Sequence, residues 1–99
     1  MQIDDYVIET LMRDLAGHDR QPTAFLVYLW LHAQSKGGRS EVQVSYQQLA
    51  DSTGISKSAA QAAVAWLIDR ELLQARKANA TAVPIYEVLC PWRRLERSL

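Results

Sequence analysis

The sequence has little of what marks a secreted, metal-binding or membrane protein. Its single cysteine, Cys90, cannot form an internal disulfide and leaves no CxxC pair for zinc. The longest apolar run covers residues 24–31, whereas a membrane-spanning helix needs about 20 residues. The first residues are acidic, and no basic stretch followed by an apolar one indicates an export signal. We therefore expect a cytoplasmic protein.

The chain also lacks net charge, with 11 basic and 11 acidic residues. Bulk electrostatics alone would not draw such a chain onto nucleic acid, so any binding of this kind needs a local surplus of charge. That surplus exists. Residues 1–35 hold five acidic groups against two basic ones, whereas residues 36–99 hold nine basic groups against six acidic ones. We expect the two parts to have different functions.

Patterns typical of catalysis and metal binding are missing as well. Residues 54–58 (GISKS) lack the glycine that a phosphate-binding loop requires before its lysine. His18 and His32 stand alone, without the spacing of metal ligands. No Ser/His/Asp or Cys/His set has a supporting sequence context. We predict no enzyme activity, no cofactor and no metal site.

The hydrophobic and charged fractions, 48% and 22%, are typical of one globular domain. Apolar residues recur every four positions over residues 3–16, which predicts an amphipathic N-terminal helix ending near Gly17. Residues 22–35 are apolar nearly all round and predict a central core helix, with Pro22 suited to its first position. The chain divides into a helical element over 1–20, a main domain over 21–90 and a basic tail over 91–99.

The apolar stripe of the N-terminal helix has to be buried. We predict that it pairs two chains in a homodimer; the alternative is that the stripe packs on the chain's own core helix. The predicted dimer interface consists of the stripe and its margin, which are Ile3, Val7, Ile8, Leu11, Met12 and Leu15.

The remaining predicted elements are short. Ser45 with Gln48 forms a capping box, Gly54 suits a left-handed turn, and Ser56 caps the next helix. Pro84 has to lie at a sheet edge or at the start of a strand. The pattern predicts a strand over 41–44, helices over 46–52 and 57–70, and a hairpin of strands over 72–76 and 85–89.

Two short helices joined by a glycine-containing turn form a helix-turn-helix signature. Residues 45–57 (SYQQLADSTGISK) resemble the helix-turn-helix of the winged helix-turn-helix family of bacterial regulators and replication initiators. Residues 67–73 (LIDRELL) resemble the family's passage into the wing, and the likeness spans about residues 22–90. The resemblance implies an α+β, mainly helical winged helix-turn-helix fold with an extra N-terminal amphipathic helix.

The resemblance also implies sequence-specific binding of double-stranded DNA, by a small transcriptional regulator or a replication-initiation domain. The helix that begins at Ser56 would enter the major groove, where Gln61 suits an adenine edge and Lys57 a guanine or a phosphate. Hairpin residues would reach phosphates or the minor groove, and the start of the preceding helix would contact phosphate through backbone N–H groups. The implied DNA-binding residues are Tyr46, Gln47, Ser56, Lys57, Ser58, Gln61, Ala62, Ala65, Arg76, Lys77, Asn79 and Thr81.

Several residues favour interpretations other than DNA binding. The recognition helix is rich in alanine, Lys57 is the one basic residue near its start, and Asp69 would oppose phosphates. The alternative function is a protein-interaction module whose partner docks at Trp66. Arg76 and Lys77 are alternatively edge-strand charges that discourage aggregation. The arginines of the tail, 93, 94 and 97, either reinforce phosphate binding or stay solvated.

Glu71 stands where the family commonly has glycine. A left-handed backbone at this position would cost roughly 1 kcal/mol.

Overall fold

A computed structural model describes residues 3–93 and places helices around a three-stranded sheet. The N-terminal helix consists of two π-helical segments, Val7–Leu11 and Arg13–His18. No helix within residues 3–93 has the length and apolarity that crossing a bilayer demands. The α+β class and the predicted order of elements are confirmed. The remaining elements are α1 (Pro22–Gln34), β1 (Val42–Gln43), α2 (Tyr46–Thr53), α3 (Lys57–Asp69), β2 (Leu73–Arg76) and β3 (Ile85–Val88).

The helix α1 lies at the centre because its apolar residues cover more than one face. Ala24, Val27 and Leu31 are fully buried, and the N-terminal helix, α2, α3 and β3 all pack against α1. The Tyr28 hydroxyl crosses to the end of the sheet and donates to the Leu89 carbonyl at 2.8 Å. The predicted central role of this helix is therefore confirmed.

The N-terminal helix differs from the predicted α-helix in its hydrogen bonds. The Met12 N–H donates to the Val7 carbonyl five residues earlier, instead of four. Because these bonds continue through His18, the backbone at Gly17 stays helical, and the predicted cap there is wrong. The left-handed residue that follows the helix is Arg20, with φ 55°.

The apolar stripe of the N-terminal helix packs on the chain's own core. Val7, Leu11 and Leu15 are buried there, and Ile3 is half-buried against the same core. These residues are thus core residues of their own chain. The part of the predicted dimer interface that lies on the surface is formed by Ile8 and Met12, which are 43% and 41% exposed.

The sheet has the order β1-β3-β2, and all neighbours are antiparallel. Leu73, Tyr86 and Val88 point into the core, whereas the alternate residues of the strands face outward. Pro84 directly precedes β3, and its carbonyl accepts from the Val44 N–H at 3.2 Å. This position at the start of a strand agrees with the prediction.

The end of α3 is closed by a left-handed residue that is not glycine. Glu71 has φ 59°, and its N–H donates to the Ile68 carbonyl at 3.0 Å. The Leu72 N–H donates to the Leu67 carbonyl, also at 3.0 Å, which completes a Schellman motif. The suspected strain at Glu71 is therefore present in the backbone.

Substituting Glu71→Gly should stabilise the protein by about 0.5–1 kcal/mol, because the left-handed strain relieved by removing the Cβ is larger than the entropy cost of ordering a glycine. Urea unfolding measures the change. Glu71→Ala is the matched control, since it removes the same carboxylate and keeps the Cβ. Equal stability of the glycine and alanine variants would contradict the explanation.

Candidate nucleic-acid interface

The helix-turn-helix is built by the caps that the sequence predicts. The Ser45 hydroxyl accepts from the Gln48 N–H at 3.1 Å, and the Gln48 side chain accepts from the Ser45 N–H at 3.0 Å. Gly54 has φ 75°, and the following Ile55 N–H donates to the Ala50 carbonyl at 3.1 Å. The turn therefore redirects the chain within three residues, from Gly54 to the next cap.

The orientation of α3 is set by one capping residue and one buried face. The Ser56 hydroxyl accepts from the Ala59 N–H at 3.1 Å, so the helix begins where the sequence predicts. Ala60, Val64 and Leu67 lie on the core side and are buried. The opposite face is left to solvent.

That exposed face of α3, here called the α3 face, carries the predicted groove-contacting residues. They include one cation, two hydroxyls, one amide and two methyl groups, all close to the N-terminal end of the helix or along one side of it. The residues of the α3 face are Ser56, Lys57, Ser58, Gln61, Ala62 and Ala65, and each is exposed.

The start of α2, the first helix of the helix-turn-helix, carries two further predicted contacts. Gln47 is exposed, and its amide donates to the Asp51 carboxylate at 3.0 Å. Tyr46 is half-buried beside Tyr86. Burial raises the pKa of Tyr86 well above its ordinary value, and the neighbouring Tyr46 adds to this shift. The Tyr86 hydroxyl therefore stays neutral at physiological pH.

The hairpin between β2 and β3 carries the other predicted contacts, and Lys77, Asn79 and Thr81 are exposed there. The Asn79 side chain accepts from the N–H and from the hydroxyl of Thr81, both at 3.0 Å, which fixes a turn at the tip. Arg76 ends β2 and already has a partner, because its Nη1 lies 2.5 Å from Oε2 of Glu41. The sequence gives no sign of this pair.

No family model and no curated protein matches the sequence. Among solved structures, the chain is similar to the adhesin competence repressor AdcR from Streptococcus pyogenes, with a TM-score of 0.51 and 18% identity. The match covers 95% of this chain. The chain has a winged-helix fold. It spans 65% of the length of the AdcR chain.

Within the winged helix, α3 occupies the place of a recognition helix and the β2–β3 hairpin that of the wing. The structure puts eleven of the twelve predicted DNA-binding residues in exposed positions on α2, on the α3 face or in the hairpin, and Tyr46 is half-buried. Their contact with DNA stays a prediction.

Trp66, one turn after Ala62 on α3, is less available than the sequence suggests. Its ring is half-buried against the core, and the Arg70 guanidinium lies 5.0 Å above the ring centroid. Arg70 also binds Asp19 at 2.9 Å, which ties the end of α3 to the N-terminal helix. A partner at Trp66 would have to meet a surface that Arg70 partly covers.

A polar cluster that sequence reasoning missed joins the two ends of the described chain. Nε and Nη2 of Arg93 each donate to the Asp4 carboxylate at 2.8 Å, and Trp92 Nε1 donates to it at 2.9 Å. Trp92 is buried and stacks on Tyr6, with ring centroids 4.7 Å apart. Residues 92 and 93 are therefore attached to the domain, and Arg94 and Arg97 lie outside the described residues.

The same cluster includes a buried histidine. The Asp4 N–H donates to Nε2 of His32 at 3.3 Å, and His32 has no exposed surface. The Arg93 guanidinium lowers the pKa of Asp4, whereas burial lowers the pKa of His32 and Asp4 opposes that shift. With the carboxylate occupied and the imidazole enclosed, the cluster holds the fold together. Across residues 3–93, no three metal-ligating side chains converge.

The free energy of unfolding should fall as the pH drops below about 6.5, by up to about 1.4 kcal/mol per pH unit. The cause is the lowered pKa of His32: the unfolded chain binds a proton in this window that the folded chain excludes. The contribution of His32 to stability is therefore complete above its pKa in the unfolded chain, and it is lost as the pH falls toward its lower pKa in the folded chain. Urea unfolding from pH 7 to 5 measures the slope.

His32→Gln keeps an acceptor for the Asp4 N–H and should flatten this dependence. His18→Gln, at a histidine whose side chain is 85% exposed, is the control and should keep the wild-type slope. An unchanged slope in the His32 variant would rule out this assignment.

Proposed function

We propose that this chain binds double-stranded DNA sequence-specifically as a small transcriptional regulator, with α3 in the major groove and the hairpin on the flanking backbone. The observation that carries the proposal is the α3 face. One side of the helix is buried by Ala60, Val64 and Leu67, and the other presents Lys57 and Gln61 to solvent. A helix mounted in this way can enter a groove with its first turns.

The chemistry of the α3 face suits base reading more than bulk attraction. The Gln61 amide can pair with both N6 and N7 of adenine, and Lys57 can reach guanine or a phosphate. Ala62 and Ala65 are exposed methyl groups, which allow close approach and suit contact with the thymine methyl. Small side chains after the two polar ones are compatible with a helix seated deep in the groove.

The likeness to AdcR supports a regulator in preference to a replication initiator, since that protein is a repressor. This support comes from similarity of fold alone. A cytoplasmic location is part of the same proposal.

A second candidate function is protein docking on the side of the domain where the C-terminal end of α3 meets the sheet. Ile68 is 40% exposed there, and with Leu73, Leu89 and Pro91 it lines a groove of about 450 Å³. Such a surface would bind a partner without need of the α3 face. DNA binding that survives changes on this side would separate the two functions.

Lys57→Ala should weaken binding to all duplexes and make the slope of log affinity against log salt shallower by about 0.9 if Lys57 contacts phosphate. Gln61→Ala should instead reduce preference at one base pair, by about 1–3 kcal/mol. Selection from a random-sequence duplex library followed by fluorescence anisotropy measures both effects.

Arg39→Ala and Gln34→Ala are matched controls, because both residues are exposed and lie outside the N-terminal helix, the helix-turn-helix and the hairpin. Neither should change affinity. Absence of wild-type binding at low salt would reject the proposed function.

We further propose that two chains pair through the surface of the N-terminal helix. Ile8 and Met12 are exposed one turn apart, and an apolar pair there favours burial against a second copy. A dimer would present two α3 helices to two half-sites, which is how helix-turn-helix dimers reach useful specificity.

Replacing both residues, Ile8→Glu and Met12→Glu, should give a folded monomer by light scattering, because both side chains are already on the surface. Leu26→Glu is the control: it places a charge at another exposed apolar residue, 44% exposed on α1, and should leave the dimer intact. A wild-type protein that is monomeric at high concentration would refute pairing.

A further inference from the structure

The outer face of the sheet carries an unbalanced set of charges. The register pairs Arg76 with Ile85 and Gln74 with Glu87, so Arg76 and Glu87 share the outward face. On the other side of β3, Val42 pairs with Tyr86. Continuing that register by one residue places Glu41 beside Glu87. Two carboxylates therefore share this face with one guanidinium.

Arg76 is bound to one of these carboxylates. Its Nη1 lies 2.5 Å from Oε2 of Glu41, and the two side chains are 62% and 45% exposed. The pair bridges from β2 across the central strand β3 to the residue before β1. It is reachable from solvent and is not locked into the core.

We propose that Glu41 is a built-in competitor for Arg76, and that it lowers the affinity of the wing for DNA phosphate and weakens its salt dependence. This inference rests on the proposed function. Arg76 must leave Glu41, or share its donors, before it can bind a phosphate. Glu41 would then remain unpaired near a polyanion.

The salt dependence follows from the number of counterions released when the wing binds DNA. A free cation that binds phosphate releases about 0.9 counterions from DNA. When Arg76 exchanges Glu41 for a phosphate, the vacated carboxylate attracts a cation from solution, so little net release remains. The wild-type Arg76 contact should therefore add almost nothing to the salt slope, even where Arg76 touches DNA.

The size of the effect follows from exposure. Ion pairs between exposed side chains are weak and are easily exchanged, so Glu41 attenuates the contact without abolishing it. Removing Glu41 should raise affinity about two- to fivefold at low salt. It should also steepen the slope of log affinity against log salt by about 0.9.

The test compares Glu41→Gln with Glu87→Gln by fluorescence anisotropy on a mixed-sequence duplex at several salt concentrations. Both variants remove one negative charge from the same face of the sheet, but the ion pair with Arg76 is lost in Glu41→Gln. The larger gain and the steeper slope should be confined to Glu41→Gln. The gain should disappear in the Arg76→Gln background, which separates pairing from a general loss of repulsion.

Equal gains in Glu41→Gln and Glu87→Gln, or a gain that persists without Arg76, would overturn the competitor role and leave DNA binding standing. Unchanged affinity in all variants, with wild-type binding present, would overturn it too. If no variant binds DNA at low salt, the proposed function fails and this inference fails with it.

Discussion

The structure depends on the need to cover α1 from several sides. A helix with fully buried residues on more than one face is stable only if other elements exclude water from each of them. The N-terminal helix, α2, α3 and β3 all do so. This shared burial means that the orientation of α3, and with it the α3 face, is determined by the packing around α1.

The same requirement accounts for the cluster at the two ends of the described chain. The N-terminal helix covers α1 only if its start is held in place, and Asp4 is held there by Trp92 and Arg93. The His32 side chain, which belongs to α1, accepts from the backbone of the same residue. One residue, Asp4, thus links the start of the first helix, the central helix and the segment that follows the sheet.

Local features of the sequence predicted most of the fold. The capping box at Ser45, the turn at Gly54 and the cap at Ser56 each depend on residues within four positions, and all are confirmed. The strain at Glu71 could be predicted from the local sequence in the same way. The hydrogen-bonding pattern of the N-terminal helix could not be predicted, because a four-residue repeat of apolar side chains fits α- and π-helical turns alike. Long-range pairs such as Asp4 with Arg93 have no local signal, and they emerge only when the folded chain brings its ends together.

The candidate site shows the same division between local and distant information. The residues of the α3 face could be predicted because helical periodicity separates them from the buried side, whereas the partner of Arg76 could not, since Glu41 reaches it across β3. For a neutral chain this difference bears on the proposed DNA binding. With Lys57 as the cation of the α3 face, Lys77 as that of the hairpin and Arg76 paired with a carboxylate, the proposal assigns little affinity to indiscriminate attraction to phosphate. Discrimination would then come from the fit of Gln61 and the small alanines to base edges, so a low net charge would favour selectivity over tight nonspecific binding.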